Sequence, residues 1–566
     1  MTTIGAAAIR IGTRGSTLAL VQAGMVADAL RGTGATVRVD TIVTDGDRRA
    51  ADTPWGEGAF VTAIERALRD GRVDVAVHSA KDLPVDEDAD LVVAAYLPRA
   101  APDDVLVMPS GASGATGATL AELPLGARVG TDSPRRTAFL RAARPDLEVH
   151  PLHGNVDTRL RRLDAGETDA LVLAAAGLDR LGRADRISSV LAPDVVLPAP
   201  GQGALAIQVR AADADTSTAV AVLDHAPTRR AVEAERAVLA AAGGGCRGPI
   251  GALGSAIDGD PVLRLRVGYA TADGRVSVMT AAEGSVDAEV VRHALERLAS
   301  DATAAAASNL GAAPRVVVTR VPERAGALHL ALIDRGIVPI DVPCIAVQPL
   351  ESPLLDAALD RIASADWVVV TSVHAVLALR DAAGRRGMSL PSHGARWAVV
   401  GAATEYAARG AGIDVAHRSP RATGAALADS LPVRAGERIV VARGDLADDV
   451  LPERLAARGG RVSSLVVYRS VEAPAQSRAL LEAAMAQHPS AVVMTSGSTV
   501  RGWLTLARDV GLEAAARSVG VVAIGPTTAS EARAHGLEVI AQAATPRPTD
   551  IADAVRAAIA HDTEAT

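Results

Sequence analysis

The stretch VDVAVHSAKDLP, residues 73–84, decides the fold class of this chain. Its first five residues form a short apolar run that is typical of a buried strand, and polar residues follow where the run ends. Before it, Phe60, Ile64 and Leu68 recur at helical spacing, and a second apolar run covers Leu91–Leu97. Strands that alternate with amphipathic helices predict an α/β fold with largely parallel sheets.

Composition excludes several classes of protein. The chain has 566 residues, a formal net charge of −8 and 2% aromatic residues, which argues against a nucleic-acid partner. No apolar run approaches the ~18–20 residues of a membrane span, so we expect no membrane partner. Arg10 and Arg14 interrupt the N-terminal segment, which argues against a signal peptide. Two cysteines exclude a disulfide framework and predict a reducing, cytoplasmic location.

Lys81 and Asp82 are the first candidates for chemistry. Lys81 is the single lysine among 58 basic residues, and both residues follow the predicted strand at the end where α/β folds place reactive groups. Asp82 would act as a general acid or base, or would orient a cation. The alternative is an exposed turn with an ordinary salt bridge.

Cys246 is the second candidate, in the glycine-rich segment GGGCRGPI of residues 243–250. The segment follows a predicted helix, Ala231–Ala242. Glycines allow a ligand to approach closely, and Arg247 would favour the thiolate. The alternative is a buried, inert thiol, which is the prediction for Cys344 in the apolar segment VPCI, residues 342–345.

Several arginines lie at predicted turns, where guanidinium groups and helix N-termini together favour carboxylates or phosphates. Ser133 before Pro134 is typical of a helix N-cap. The alternative is that many arginines of this Arg-rich chain are ordinary surface residues. The segment GQGALA, residues 201–206, mimics a dinucleotide-binding motif, but a strand pattern follows it. No spaced Cys/His set is present, so we predict no metal. The arginines are Arg14, Arg135, Arg136, Arg159 and Arg180.

Residues 315–566 contain an internal repeat. The segment WVVVTSVHAV at 367–376 matches AVVMTSGSTV at 491–500, and VGAAT at 400–404 matches IGPTT at 524–528 with the same spacing. Co-registered matches of this kind predict a duplicated α/β domain. A cleft between like domains is a favoured place for a ligand.

Six ordered motifs in the first part of the chain resemble hydroxymethylbilane synthase, also called porphobilinogen deaminase. They are RIGTRGS (10–16), HSAKDLP (78–84), GTDSPRR (130–136), GNVDTRL (154–160), LPAPGQG (197–203) and GGCRGPIG (244–251). The resemblance covers residues 1–308 and implies two lobes like those of periplasmic binding proteins, then a small α+β domain. The implied boundaries are about 1–100 with 204–222 for the first lobe, 105–197 for the second and 226–308 for the α+β domain.

This resemblance also implies the chemistry. A dipyrromethane cofactor would be bound as a thioether to Cys246, and four porphobilinogen units would be condensed to hydroxymethylbilane with release of ammonia. Asp82 and Lys81 would be catalytic. Cofactor contacts would come from Ser133, Lys81, Arg135 and Arg136, and substrate contacts from Arg14, Ser16, Arg159 and Arg180.

The chain departs from the family pattern at three positions. His153 and Asp103 stand where an arginine is usual, and Glu57 stands where many members have a basic residue. These changes affect candidate carboxylate contacts, whereas Asp82 and Cys246 are retained.

Residues 315–566, after a predicted linker at 309–314, resemble uroporphyrinogen-III synthase, a family with two α/β domains joined by a two-stranded ladder. The matching segments include WVVVTS (367–372), RGD (443–445), VYR (467–469) and IGPTT (524–528). The resemblance implies cyclisation of hydroxymethylbilane with inversion of the last ring. Candidate contacts are Ser372, Tyr468, Ser496, Thr527 and Thr528; the alternative is that the Ser and Thr residues only cap helices.

Together, the two resemblances predict a bifunctional, monomeric enzyme of tetrapyrrole biosynthesis. Fusion is chemically reasonable, because free hydroxymethylbilane closes spontaneously to the wrong isomer. Two alternatives remain open: an active deaminase with a non-catalytic synthase-like domain, and a non-enzymatic carboxylate-binding protein with the same fold.

Overall fold

The computed structural model describes residues 8–43, 61–85, 90–111, 117–243, 248–320, 322–350, 352–390, 394–421 and 423–564. The chain divides into two compact units. The first comprises Met1–Ser285 with His293–Gly311, and the second comprises Val286–Arg292 with Ala312–Thr566.

The first sheet of the first unit has five strands in the order β2-β1-β3-β10-β4. Its strands are β1 (Ile9–Thr13), β2 (Val37–Thr41), β3 (Val75–Ser79), β4 (Leu91–Tyr96) and β10 (Leu205–Arg210). Strands β2 and β3 run parallel to β1, whereas β10 is antiparallel to β3 and β4. The associated helices are α1 (Thr17–Gly32), α2 (Thr62–Arg69) and, further along the chain, α6 (Ala214–Ala221).

The second sheet repeats this arrangement in the order β7-β6-β8-β5-β9. Its strands are β5 (Asp104–Val107), β6 (Arg128–Gly130), β7 (Glu148–His150), β8 (Ala170–Ala174) and β9 (Ser189–Leu191). Strand β5 is the antiparallel member. Its helices are α3 (Pro134–Ala143), α4 (Val156–Asp164) and α5 (Ala175–Arg180), with short 3-10 turns at Leu120–Glu122 and Ala184–Arg186.

The chain crosses between these two sheets twice, after β4 and before β10, and the two crossovers touch. Gly203 has a φ of +86°, and a Cβ built on it would lie 2.4 Å from the carbonyl oxygen of Ala100. Only glycine therefore fits at this contact. The strand β10 that follows explains why the segment at 201–206 is not a dinucleotide-binding turn.

A small α+β layer completes the first unit. Three antiparallel strands lie in the order β11-β12-β13, and helix α7 (Ala226–Ala241) packs on them. The strands are β11 (Ile250–Ser255), β12 (Leu263–Ala270) and β13 (Ser277–Gly284). Helix α8 (Asp287–Asn309) follows them in the chain. The predicted helix Ala231–Ala242 is confirmed, with an earlier start at a Pro-containing first turn.

The second unit contains two parallel sheets that repeat one another. The first has the order β15-β14-β22-β23-β24, and the second has the order β21-β20-β17-β18-β19 with β16 added beside β21. The first sheet consists of β14 (Arg315–Val318), β15 (Val338–Asp341), β22 (Ala491–Met494), β23 (Val521–Ala523) and β24 (Val539–Gln542). The second consists of β16 (Ile345–Pro349), β17 (Trp367–Val370), β18 (Arg396–Val399), β19 (Val415–Arg418), β20 (Arg438–Gly444) and β21 (Arg461–Glu472).

The sequence repeat coincides with this structural repeat. The matched segments at 367–376 and 491–500 form β17 and β22, each followed by a Ser-capped helix. Strands β16 and β21 form an antiparallel ladder. The helices of this unit are α9 (Pro322–Ile333), α10 (Ser352–Ile362), α11 (Val373–Arg385), α12 (Ala402–Gly410), α13 (Gly424–Ser430), α14 (Val450–Ala457), α15 (Ser477–Met485), α16 (Gly497–Asp509), α17 (Glu513–Ser518), α18 (Pro526–Ala534) and α19 (Pro548–Glu564).

The alternating strands and helices confirm the α/β class, and burial confirms one residue prediction. Trp367, Trp397 and Trp503 are fully buried in the second unit, and Cys344 is 0% exposed. Burial also raises the pKa of the Cys344 thiol. This cysteine is a core residue, as predicted. None of the helices in the described part of the chain combines the length and apolar character that a membrane span requires.

Candidate active sites

Lys81 and Asp82 lie in a 3-10 turn, Ala80–Asp82, directly after the buried strand β3. The crossover before β10 packs against this turn. Gly201 has a φ of +75°, and a Cβ on it would lie 3.0 Å from the carbonyl carbon of Ala80. His78, at the end of β3, is buried against Gln208, and burial lowers its pKa to about 4. His78 is therefore a neutral core residue, and the polar groups that reach outward are those of Lys81 and Asp82.

The ammonium of Lys81 is half-buried and faces a cluster of charges. Its Nζ donates to Oε1 of Gln202 at 3.3 Å. Burial, assisted by the positive charge of Arg136, lowers the pKa of Lys81 to about 8, while Asp82 and Asp104 act in the opposite direction. Lys81 is thus protonated near neutral pH but close to losing its proton.

Part of the Asp82 side chain is exposed to solvent. The surrounding protein nevertheless desolvates its carboxyl group, and this desolvation raises the pKa of the carboxyl. The positive charges of Lys81, Arg14 and Arg159 act against that rise. These charges come from both sheets of the first unit. Desolvation raises the pKa of this carboxyl and the nearby cations lower it. A carboxyl with opposing influences of this kind is suited to proton transfer.

Arg135 and Arg136 are buried at the start of α3, and both pair with Asp104. Nη1 of Arg135 lies 2.8 Å from Oδ2 of Asp104, and Nη2 of Arg136 lies 2.7 Å from its Oδ1. Arg135 also donates to the carbonyl of Leu197, and Arg136 to that of Val172. The arginines hold the pKa of Asp104 far below its usual range. Because two guanidinium groups share one carboxylate, this buried cluster keeps a net positive charge.

A small cavity of about 40 Å³ lies beside this cluster. Its lining includes Lys81, Ser133, Arg135, Leu239 and Gly248. The Ser133 hydroxyl caps α3 by accepting from the backbone N–H of Arg136 at 3.4 Å. Cys246 lies outside the described residues, but Gly248 is only two residues further along the chain. The lining of the cavity therefore includes the first described residue after the segment that contains Cys246.

The remaining predicted substrate contacts differ in their surroundings. Ser16 caps α1 by accepting from Ala19 N–H. Burial lowers the pKa of Arg159 to about 10, and its Nε lacks a hydrogen-bond partner among the described residues. Arg180, at the end of α5, donates from Nη2 to the carbonyl of Gly203 at 2.6 Å. Arg14 and Arg159 thus remain near Asp82, whereas Arg180 contacts the crossover.

The three departures have different surroundings. Nδ1 of His153 lies 2.9 Å from Oδ1 of Asp132. Asp103 contributes its backbone carbonyl to Ala175 N–H. Glu57 lies outside the described residues.

In the second unit, Ser372 and Tyr468 come together. Ser372 caps α11, and its Oγ donates to Oη of Tyr468, which lies on β21, at 3.2 Å. His374 places its ring 5.7 Å from the Tyr468 ring. A Cβ on Gly444 would lie 2.5 Å from the Tyr468 ring, so the glycine makes room for it. Residues almost a hundred positions apart thus form one hydroxyl pair.

The repeated half presents equivalent positions without an equivalent tyrosine pair among its described contacts. Ser496 caps α16 and exchanges hydrogen bonds with Thr499. Thr527 is exposed in the first turn of α18, whereas Thr528 is buried. Only Thr527 of these two threonines has a hydroxyl on the surface that a ligand could reach.

Two polar residues of the first site were not assigned a role from the sequence. Gln202 is fully buried, and its Nε2 donates to Oδ1 of Asp104 at 3.0 Å while its Oε1 accepts from Lys81. Asp104 stood out only as part of an unusual segment. Gln202 lies between Gly201 and Gly203, which both have a positive φ. This pair of glycines was the feature of the sequence that could have pointed to Gln202. No group of three or more potential metal ligands occurs among the described residues.

Family models match both units. Residues 9–218 match "Porphobilinogen deaminase, dipyromethane cofactor binding domain", and residues 229–299 match "Porphobilinogen deaminase, C-terminal domain". Residues 326–553 match "Uroporphyrinogen-III synthase HemD".

Individual known proteins match one part of the chain or the other. The porphobilinogen deaminase of Mycobacterium marinum is 51% identical over 251 residues, which are 44% of this chain and 78% of that protein. The enzyme of Roseiflexus castenholzii is 51% identical over 260 residues, 45% of this chain and 84% of that protein. A mutant uroporphyrinogen III synthase from the extremely thermophilic bacterium Thermus thermophilus is 23% identical, with a TM-score of 0.32, over 44% of this chain and 100% of that one. The chain therefore belongs to the porphobilinogen deaminase family, and the region after the deaminase is similar to uroporphyrinogen-III synthase.

Proposed function

We propose that this chain is a bifunctional enzyme of tetrapyrrole biosynthesis. The first unit condenses four porphobilinogen molecules into hydroxymethylbilane with release of ammonia, and the second unit cyclises that product to uroporphyrinogen III. The observation that carries the proposal is the cationic cavity lined by Lys81, Arg135 and Gly248, the last of which is two residues after Cys246 in the sequence.

The residues around the cavity fit the dipyrromethane cofactor that the matched domain is named for. Its pyrroles carry acetate and propionate groups, and the buried cluster of Arg135, Arg136 and Asp104 supplies net positive charge. Arg135, Lys81 and Ser133 line the cavity and would hold the cofactor, with Cys246 as its thioether anchor. When bound, the cofactor supplies the carbon to which the first substrate is joined.

Arg136 acts less directly than the sequence predicts. It is buried against Asp104 and the carbonyl of Val172, so it contributes charge and fixes Asp104. Contacts with incoming porphobilinogen are assigned to Arg14, Ser16 and Arg159 beside the turn, and to Arg180 if its contact with Gly203 opens.

Asp82 performs the proton chemistry. Loss of ammonia from porphobilinogen leaves a cationic azafulvene, which an ionised carboxylate stabilises. Carbon–carbon bond formation then leaves a ring proton, and the same carboxylate accepts it. The raised pKa of Asp82 favours this acceptance, while Lys81 holds the turn electrostatically and binds a substrate carboxylate.

The second unit needs to hold a flexible intermediate in one shape. Ser372 and Tyr468 offer hydroxyls from one half, and Ser496 and Thr527 offer hydroxyls from the other. The Tyr468 hydroxyl, oriented by Ser372, assists departure of the terminal hydroxyl group of hydroxymethylbilane by donating a hydrogen bond. Cyclisation with elimination of water makes this step a lyase reaction.

The finer assignments follow from the same reasoning. We propose a first lobe of about 1–100 with 204–222, a second lobe of 105–197, a cofactor-carrying domain of 226–308, a linker of 309–314 and a duplicated synthase of 315–566. Low cysteine content supports a cytoplasmic location. The acidic, aromatic-poor composition supports small-molecule substrates rather than nucleic acid, and we propose a monomer without a membrane partner.

One incubation tests both activities. Purified full-length protein is given porphobilinogen, ammonia is measured, and the products are oxidised and separated as uroporphyrin isomers. We expect ammonia and the type III isomer. Type I alone would identify a deaminase with a non-catalytic synthase region. Binding without ammonia or porphyrin would instead identify a carboxylate-binding protein.

A further inference from the structure

Helix α7 precedes the segment that contains Cys246 in the sequence, and it contacts the turn that contains Lys81 and Asp82. It ends at Ala241, five residues before Cys246, and its Leu239 lines the same cavity as Lys81. One helical turn before Leu239 lies Arg236, which does not line the cavity. Arg236 contacts the turn that contains Lys81 and Asp82.

The Arg236 guanidinium donates to three carbonyl oxygens that flank Lys81 and Asp82. Nη1 lies 3.3 Å from the oxygen of Ala80 and 3.2 Å from that of Leu83, and Nη2 lies 2.7 Å from that of Pro84. Carbonyls at the end of a short helical turn lack donors within the helix. A charged, forked donor therefore fixes the chain on both sides of the two proposed catalytic residues.

Glu235, the residue before Arg236, fixes the position of helix α7. Glu235 is fully buried, pairs with Arg99 at 2.6 Å and accepts from the backbone N–H groups of Gly201 and Gly254, each at 2.6 Å. Gly201 itself packs against Ala80. The turn is thus held by Arg236 on one side and by the Glu235-bound crossover on the other.

We propose that Arg236 is a positioning residue of the deaminase reaction, which sets the Lys81–Asp82 turn relative to the helix leading to the Cys246 loop. This inference rests on the proposed function. Arg236 acts through the backbone of the turn and touches neither substrate nor cofactor. A lysine at this position keeps the charge but loses the fork that reaches Leu83 and Pro84 together.

Arg230 provides a matched control on the same helix. It donates to the carbonyl oxygens of Asp260 at 3.0 Å and Pro261 at 2.6 Å, in the loop between β11 and β12. Arg230→Met therefore removes donors to backbone carbonyls without touching the turn.

The experiment compares Arg236→Met, Arg236→Lys and Arg230→Met in the full-length, cofactor-loaded protein. Because small misplacement of catalytic groups is costly, we expect Arg236→Met to lower kcat for ammonia release about 10- to 100-fold, with KM changed less than about threefold. Arg236→Lys should lose less, and Arg230→Met should stay within about twofold of the unsubstituted protein. Thermal unfolding and the covalently bound cofactor, measured in every variant, report whether the first unit is folded, and cyclisation of added hydroxymethylbilane reports whether the second unit is folded.

The pH profile separates positioning from general destabilisation. When the turn loosens, Asp82 gains water, so the acid limb of kcat against pH should move to lower pH in Arg236→Met but not in Arg230→Met. Equal loss in both variants, or an unchanged kcat in Arg236→Met, would overturn the inference. If Arg236→Met does not fold, the same comparison with Arg236→Lys decides it. If the unsubstituted protein releases no ammonia, the proposed function itself is wrong.

Discussion

The ligands proposed for both units carry many carboxylates, yet the two candidate sites have opposite character. In the first unit, Lys81, Arg135 and Arg136 gather around Asp104 beside the cavity. In the second, two of the candidate residues, Ser372 and Tyr468, pair through neutral hydroxyls. Both sites lie at the ends of parallel strands, so the fold alone does not determine their chemistry.

The difference follows from what each step requires. Condensation creates cationic intermediates and releases protons, so it needs ionisable groups with displaced pKa values. Cyclisation requires one conformation of a flexible chain, so it needs fixed hydrogen-bond donors and a matching space around them. The first site should therefore respond most to changes of charge, and the second to changes of shape.

Removing the charge of Asp82 should have the largest effect. Asp82→Asn keeps the size of the side chain but can neither stabilise a cation nor accept a proton. We expect kcat for ammonia release to fall by about 10²- to 10⁴-fold. Cyclisation of added hydroxymethylbilane by the same variant is the control. A loss below about tenfold would assign the proton chemistry to another residue.

Removing the hydroxyl of Tyr468 should have the next largest effect, confined to the second unit. Tyr468→Phe loses the donor that Ser372 orients, and we expect the cyclisation rate to fall about 10²-fold. Ammonia release should stay unchanged, and the porphyrin product should shift to type I. Retention of type III product would show that this hydroxyl is dispensable.

A substitution that changes the shape of the second site, without changing its charge, should affect cyclisation but not ammonia release. A methyl group at Gly444 would meet the Tyr468 ring at 2.5 Å and displace it. We expect Gly444→Ala to lower cyclisation about tenfold and leave ammonia release unchanged. The matched control is Gly384→Ala on α11, because a Cβ there would meet nothing within 4 Å. Equal losses in both variants would contradict the role of this space.

The smallest expected effect is a pH dependence of binding. Because the pKa of Lys81 is lowered to about 8, the ammonium is charged at pH 7 and loses its charge above pH 8. A carboxylate ligand binds the charged form, so the KM for porphobilinogen should rise a few-fold between pH 7 and 9. Lys81→Arg stays charged and should abolish that rise, whatever its kcat. An identical rise in Lys81→Arg would assign the titration elsewhere.

Local patterns were sufficient to predict the strand–helix alternation, the repeat and the position of Lys81 and Asp82 directly after a buried strand. The turn could be recognised because a buried apolar run ends at polar residues within a few positions. The core position of Cys344 was predictable from its apolar neighbours. These features depend on residues that are close in the sequence.

The pairing of buried charges could not be predicted in the same way. Asp104 joins Arg135 and Arg136 only because β5 enters the second sheet antiparallel to β8. The sequence therefore presented Arg135 and Arg136 as open carboxylate contacts, whereas the structure buries both. Likewise, the spacing of Thr527 and Thr528 does not reveal which hydroxyl faces the core.

A mixing experiment tests the central claim that one chain carries two separate sites at these positions. Asp82→Asn, Tyr468→Phe and an equal mixture of the two proteins are each incubated with porphobilinogen, and the oxidised uroporphyrin isomers are measured. We predict no porphyrin from Asp82→Asn, type I from Tyr468→Phe, and type III from the mixture. Type III product from Tyr468→Phe alone, or only type I from the mixture, would contradict the account.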